Sequence, residues 1–255
     1  MGESRQKWRY CDNYDKMRSS VYLCFMIFCW QHLPAQDGLL RQTTDRYAAN
    51  YMDSVSRFAT IYSGESPQPH LSFSLQNHQF FKDVYFTNSR LSYDGVVYPG
   101  VMLRWDLYRD ELLIFSPARY EIVLKREKID FAEIHGYHMF YLHLDSLPGC
   151  PPAGYYILLF SGEYLLLEKT SKQLLRSNVS MGRDENDFNL SSIFFLQKNG
   201  VYHQIKNRGT LLKALDTHRK ELNGFIRAHK LKYKKDAEKM VLTVVKEHAK
   251  LSVDE

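Results

Sequence analysis

The sequence predicts an α+β fold, predominantly antiparallel β: a curved meander or partly closed barrel of about ten strands, with one N-terminal and two C-terminal helices. Three observations predict it. Apolar residues alternate with a period of two from about residue 70 to residue 206. Hairpin signals such as Asp94-Gly95 and Asn199-Gly200 punctuate that stretch. Helical spacing occurs only before and after it, so the βαβ rhythm of a parallel sheet is missing. The 18 tyrosines and the 14% aromatic content suit half-buried pleated surfaces.

The first element is not part of that fold. Val21 to Trp30 is an unbroken run of ten apolar residues, flanked by Lys16 and Arg18. As a helix it is about 15 Å long, half the roughly 30 Å of a hydrocarbon core, so it is too short to span. It fits the apolar core of a signal peptide, and Pro34 with Ala35 supplies a breaker and a small residue for cleavage near Ala35. The competing reading is a buried strand near the N-terminus. Met17 is expected as the true start, residues 1–16 being an upstream extension. The expected location is the periplasm or the medium, with no transmembrane span in the mature chain.

Residues 36–255 are then expected to form a single globular domain: a helix within 36–66, a β-meander over 67–206 and a helix pair over 207–255. Cys11, Cys24 and Cys29 lie in the segment expected to be removed, which leaves Cys150 alone. That excludes a disulfide scaffold and a CxxC redox or zinc motif. Arg5, Lys7, Arg9, Lys16 and Arg18 against Glu3, Asp12 and Asp15 account for +2 of the net +5, so the mature chain is near +3. That is too weak for a nucleic-acid footprint, and no nucleic-acid partner is expected.

Tyr47, Tyr51, Val55, Phe58 and Tyr62 recur at helical spacing, with Thr43 or Thr44 as cap, Asp45 in the first turn and Gly64 at the end. In "VMLRWDL", Val101, Leu103, Trp105 and Leu107 point one way, and Met102, Arg104 and Asp106 the other. "RYEIVLK" repeats the pattern through Tyr120, Ile122 and Leu124. Pro99-Gly100 and Ser161-Gly162-Glu163 add turn signals. Leu211, Leu215, His218, Leu222 and Phe225 mark one C-terminal helix. Asp236 caps a second, whose apolar stripe holds Val241, Val244 and Val245.

"FATIYSGE", "NHQFF", "LSYDGVVYPGVMLRWDLYRDELLI", "IDFAEIHGYHMF" and "LLKALDTHRKELNGFIRAHKLKYKKDAEKMV" follow one another in this order. Together they resemble a widespread group of secreted proteins of the Bacteroidetes that lack an assigned activity. The most specific part is the hairpin of Gly95, Val97, Tyr98 and Gly100 followed by Trp105, Asp106 and Leu107, where the group has Tyr at the position of Trp105. The resemblance implies export. It carries over no catalytic residue.

"EIHGYHMFYLHLD" holds Glu133, His135, His138 and His143. On a continuous strand His135 and His143 would lie about 27 Å apart, too far for one ion unless the chain bends at Gly136. No metal site and no cofactor is therefore expected. Asp106, beside Arg104 on the outer face, could pair with Asp110 or Glu111 for acid–base work if the carboxylates stood about 5–9 Å apart. Turn acids more commonly satisfy backbone donors. His70 and His78 flank the segment before "FFKD", and Cys150 sits in a proline-rich turn with no base identified. No G-x-S-x-G, P-loop, dinucleotide fingerprint or H-E-x-x-H is present. The basic run "RAHKLKYKKDAEK" reads as a solvated linker that could also meet anionic lipid or acidic polymers.

No residue stands out as catalytic. The leading expectation is an exported cell-envelope protein of non-enzymatic type, a binding or assembly module with an envelope protein as partner. The alternative is a carrier of an apolar, lipid-like ligand in a half-barrel groove. A secreted hydrolase is held in reserve.

Overall fold

The computed structural model describes residues 46–47, 60–70, 77–143, 150–175 and 187–252. The expected signal segment and cleavage site lie outside them. Of the segment expected to hold the N-terminal helix, Arg46 and Tyr47 are helical and exposed, and Thr60–Tyr62 form a single 3-10 turn with Ile61 buried.

Ten strands form one antiparallel sheet. They are β1 (Thr87–Tyr93), β2 (Val96–Asp106), β3 (Glu111–Phe115), β4 (Glu121–Val123), β5 (Ile129–Ile134), β6 (Tyr137–Leu142), β7 (Gly154–Ser161), β8 (Leu165–Leu175), β9 (Asp187–Lys198) and β10 (Val201–Ile205). The order is β10-β9-β8-β7-β6-β5-β1-β2-β3-β4, so the sheet is open, with β10 and β4 at its edges. It is two meanders joined rather than one: after β4 the chain returns through a 3-10 turn, Arg126–Lys128, and lays β5 against β1.

Three two-residue hairpins have both central residues at positive φ: Asp94 and Gly95 (56°, 76°), His135 and Gly136 (52°, 78°), Asn199 and Gly200 (52°, 76°). This is the turn whose twist matches that of the flanking strands. Pro99-Gly100 is not a turn. Both residues lie inside β2, where Gly100 at φ 74° is the extra residue of a bulge opposite Ser89 and Arg90. The glycine that suggested a turn supplies the left-handed φ such a bulge needs.

The described residues fall into two compact units. One contains residues 60–141 and 170–192. Its main core includes Leu91, Tyr93, Leu103, Trp105, Leu112 and Ile134, all 1% exposed or less. The opposite face of β2 is buried as well. Residues 79–81 run beside β2 beyond the end of β1: the Phe81 N–H donates to the Trp105 carbonyl at 2.9 Å, and the Leu107 N–H to the Gln79 carbonyl at 3.0 Å. Phe80, Val84 and Leu113 form a second small core there, with Phe86 and Val123 against it. This corrects the expectation of an outer, solvated face, for Arg104 is 9% exposed and Asp106 0%.

The other unit contains residues 142–169 and 193–252. Three helices, α1 (Arg208–Leu215), α2 (Arg219–Ala228) and α3 (Ala237–Leu251), cover its strands. The helical run from Leu211 to Phe225 is thus broken in two. Asp216 and His218 adopt φ of 68° and 51° and end α1 before α2 begins. The break lets Leu211 and Leu215 on one helix and Leu222 and Ile226 on the next all reach one core, with Val241, Val244 and Val245 of α3. Asn207 caps α1 through a capping box with Thr210, and Asp236 caps α3 through the Lys239 N–H at 2.9 Å.

Candidate functional site

The buried second face of β2 concentrates the unusual chemistry. Residues at alternate positions of a strand share a face, so Arg104 and Asp106 project together into the layer made by residues 77–86. Asp106 is fully committed. Its Oδ1 accepts the N–H groups of Tyr108 (2.9 Å) and Arg109 (3.0 Å), and its Oδ2 accepts from Gln79 Nε2. The carboxylate therefore organises the β2–β3 turn from inside, as turn acids do. Asp110 accepts the Trp105 indole N–H at 3.4 Å. Glu111 is the register partner of Asp106, and burial, together with Asp106, pushes its carboxyl above the usual range.

Arg104 is the centre of the second cluster. Its guanidinium carbon lies 3.9 Å from the Phe80 ring centroid and 4.3 Å from that of Phe86. Nη1 donates to the Val84 carbonyl at 2.8 Å, and Nη2 to both Glu121 oxygens at 2.8 Å. Such a cation, stacked on aromatic faces and charge-paired, is a use suited to arginine and not to lysine. Burial pulls the guanidinium below the usual arginine range, and Glu121 and Asp106 oppose that. Burial by itself would raise the Glu121 carboxyl, but His70 and Arg104 outweigh it and hold it below the usual range.

His70 Nε2 lies 2.6 Å from Glu121 Oε2 and 3.0 Å from Arg104 Nη2. The short contact to the carboxylate makes Nε2 the protonated nitrogen, donating to Glu121. Nδ1 then faces Gln79 Nε2 at 3.5 Å. Gln79 Oε1 and Arg104 Nε are buried and have no hydrogen-bond partner among the described residues.

Lys172 pins the covering segment from the other side, donating to the carbonyls of His78 (2.5 Å) and Phe80 (3.1 Å). Burial lowers the Lys172 ammonium, and Asp106 opposes it. His78 is buried, accepts the Phe80 N–H at Nδ1 (3.2 Å) and is pushed down by burial, then by Lys172. At the rim Phe115, the register partner of Glu121, is 37% exposed and packs on Phe86 with centroids 5.3 Å apart; Tyr85 and Tyr120, next in the chain to Phe86 and Glu121, are 68% and 51% exposed.

The histidine-rich stretch bends at Gly136, as a shared ligand set would require, but the bend separates its members. Glu133 pairs across the hairpin with His138 at 3.8 Å, whereas His135 bonds the Thr87 hydroxyl at 3.1 Å. His143 is exposed at the end of β6. Among the described residues no group of three or more His, Cys, Asp or Glu is placed to hold a metal ion. With residues 1–35 attached, Cys150 is disulfide-bonded, so in that form of the chain it is not a free nucleophile.

Sequence reasoning placed Arg104, Asp106, His70 and His78 among the candidates but missed Gln79, Glu121 and Lys172. Their partners are 27, 17 and more than 90 residues away, so no local spacing announces them. No helix among the described residues is long and apolar enough to cross a membrane. No protein family matches the chain, and neither a curated protein nor a solved structure matches it.

Proposed function

We propose that the protein is an exported, non-enzymatic binding module of the cell envelope, and that it binds through the aromatic rim over His70, Glu121 and Arg104. One observation carries the reading. Both oxygens of Asp106 and of Glu121 are consumed by hydrogen bonds within the fold, while Phe115, the register partner of Glu121, stays partly exposed, as do Tyr120 and Tyr85, the chain neighbours of Glu121 and Phe86. A carboxylate locked in this way stiffens a surface; it does not take up a substrate proton. Exposed rings around a rigid polar floor have the make-up of a recognition surface. Export rests on the short apolar run with its basic flank and breaker.

The test compares the protein with a Phe115→Ser/Tyr120→Ser variant as baits on isolated envelopes. The expected result is a partner recovered reproducibly with the first and lost with the second. Equal recovery with both removes the rim from the proposal. Turnover of an ester or glycoside that disappears in Glu121→Gln overturns the non-enzymatic reading.

A further inference from the structure

A second surface stands apart from this site in its chemistry. α2 exposes Arg219, Lys220 and Arg227, and the connector to α3 exposes Lys230, Lys232, Lys234 and Lys235. Over residues 219–235 these seven cations meet one acid, Glu221, a formal +6, whereas the whole chain totals +5. The remaining residues therefore sum to −1. None of the seven side chains bonds to a described residue, so the charge is not neutralised within the fold.

The array is also fixed in place. The connector is closed by backbone bonds from Lys230 to Arg227 (3.1 Å), Leu231 to Ile226 (3.0 Å) and Asp236 to Lys232 (3.1 Å). The Tyr233 hydroxyl donates to the Ile205 carbonyl at 2.9 Å, and Leu231 and Tyr233 pack on the core beneath. The apolar side chains of this stretch point inward and the cations outward. Concentrated like charge destabilises a fold by self-repulsion, and only Glu221 within the stretch and Asp236 at its end oppose it. An external anion offsets the rest.

We infer that this face docks on a membrane surface rich in anionic lipid head groups. Five of the seven cations are lysines, compact point charges that meet a diffuse anionic sheet without needing a planar fork. Single-stranded nucleic acid would call for exposed rings to stack its bases. Here Phe225 is covered by His229, with centroids 4.1 Å apart, and the Tyr233 hydroxyl is tied to the backbone. The reading is independent of the rim proposed above.

The test is flotation of the purified protein with phosphatidylcholine vesicles, with and without about 30 mol % phosphatidylserine, at about 0.05 and 0.5 M NaCl. Binding is expected only with the anionic lipid and only at low salt. Replacing Lys230, Lys232, Lys234 and Lys235 together by Gln is expected to weaken it at least about tenfold. The matching Lys→Arg replacement is expected to keep it, which separates lost charge from lost folding. Flotation with neutral vesicles alone, salt-independent flotation, or an unaffected Gln variant overturns the inference. So does tighter binding to a DNA oligonucleotide than to the anionic vesicles.

Discussion

Arg104 holds Glu121 end-on, one guanidinium nitrogen 2.8 Å from each carboxylate oxygen, while Phe80 and Phe86 stack on the cation. Removing the anion strands a cation that is 9% exposed. Glu121→Ala is therefore expected to destabilise by about 2–3 kcal/mol, less than for a fully buried pair because Glu121 is 26% exposed. The Glu121 carboxyl is held below its ordinary 4.5, so its contribution is present above that pH and is lost as pH falls through the folded-state value. Urea midpoints for the protein and for Glu121→Gln should differ at neutral pH and converge in acid. A constant gap would mean that Glu121 acts by packing alone.

Gly64 follows the 3-10 turn Thr60–Tyr62, and it also lies tight against β4. A Cβ there would lie 2.0 Å from the Val123 carbonyl oxygen and 2.6 Å from the Ile122 side chain. The next residue, Glu65, accepts the Val123 N–H at 2.8 Å, so residue 64 must lie against β4. Gly64→Ala is expected to cost about 2–4 kcal/mol by prising this contact open. Gly95→Ala is a useful comparison, since no atom lies within 4 Å of its Cβ and only its φ of 76° opposes the change. It is expected to cost about 1–2 kcal/mol. Thermal melts of the two variants check the order, and Gly95→Ala proving the more damaging would refute it.

The sheet was legible because its signals are local. Period-two alternation and dipeptides such as Asp94-Gly95 and Asn199-Gly200 act within a few residues, and β1–β2 and β9–β10 form where they point. The helix break at Asp216 was hidden because Leu211, Leu215, His218, Leu222 and Phe225 keep helical spacing across it. The site was half legible. Arg104 and Asp106 could be picked out as charges on an alternating strand, but whether that face is wet depends on residues 79–81 lying beside β2. That pairing bridges about 25 residues and leaves no trace in hydrophobic period.

Cys150 reports on export. It is disulfide-bonded, and the only other cysteines are Cys11, Cys24 and Cys29. Cleavage near Ala35 removes all three, so a processed chain is expected to carry one free thiol. Alkylation under denaturing, non-reducing conditions, followed by intact mass, counts it. A secreted product of single-chain mass with no alkylatable thiol would show that the apolar N-terminal segment is retained, and the export proposal would go with it.

His248 on α3 is 0% exposed, yet both ring nitrogens are used. Nε2 lies 2.8 Å from the Thr217 hydroxyl and Nδ1 3.3 Å from that of Ser252. Tyr164 packs edge-on at 5.3 Å and His218 at 5.5 Å. Burial lowers its proton affinity below the ordinary 6.5, with His218 and Lys198 adding to that and Glu163 opposing. The folded chain thus binds fewer protons than the unfolded one once the pH drops below about 6.5. Stability is present above that pH and declines as pH falls toward the folded-state value. His203 and His78, also held low by burial, add slope in the same direction. His248→Gln is expected to lower stability at pH 7.5 by about 1–2 kcal/mol, through the two hydroxyl bonds, and to flatten the decline between pH 7 and 5. Denaturant midpoints across that range decide it, and an undiminished slope in the variant would place the titration elsewhere.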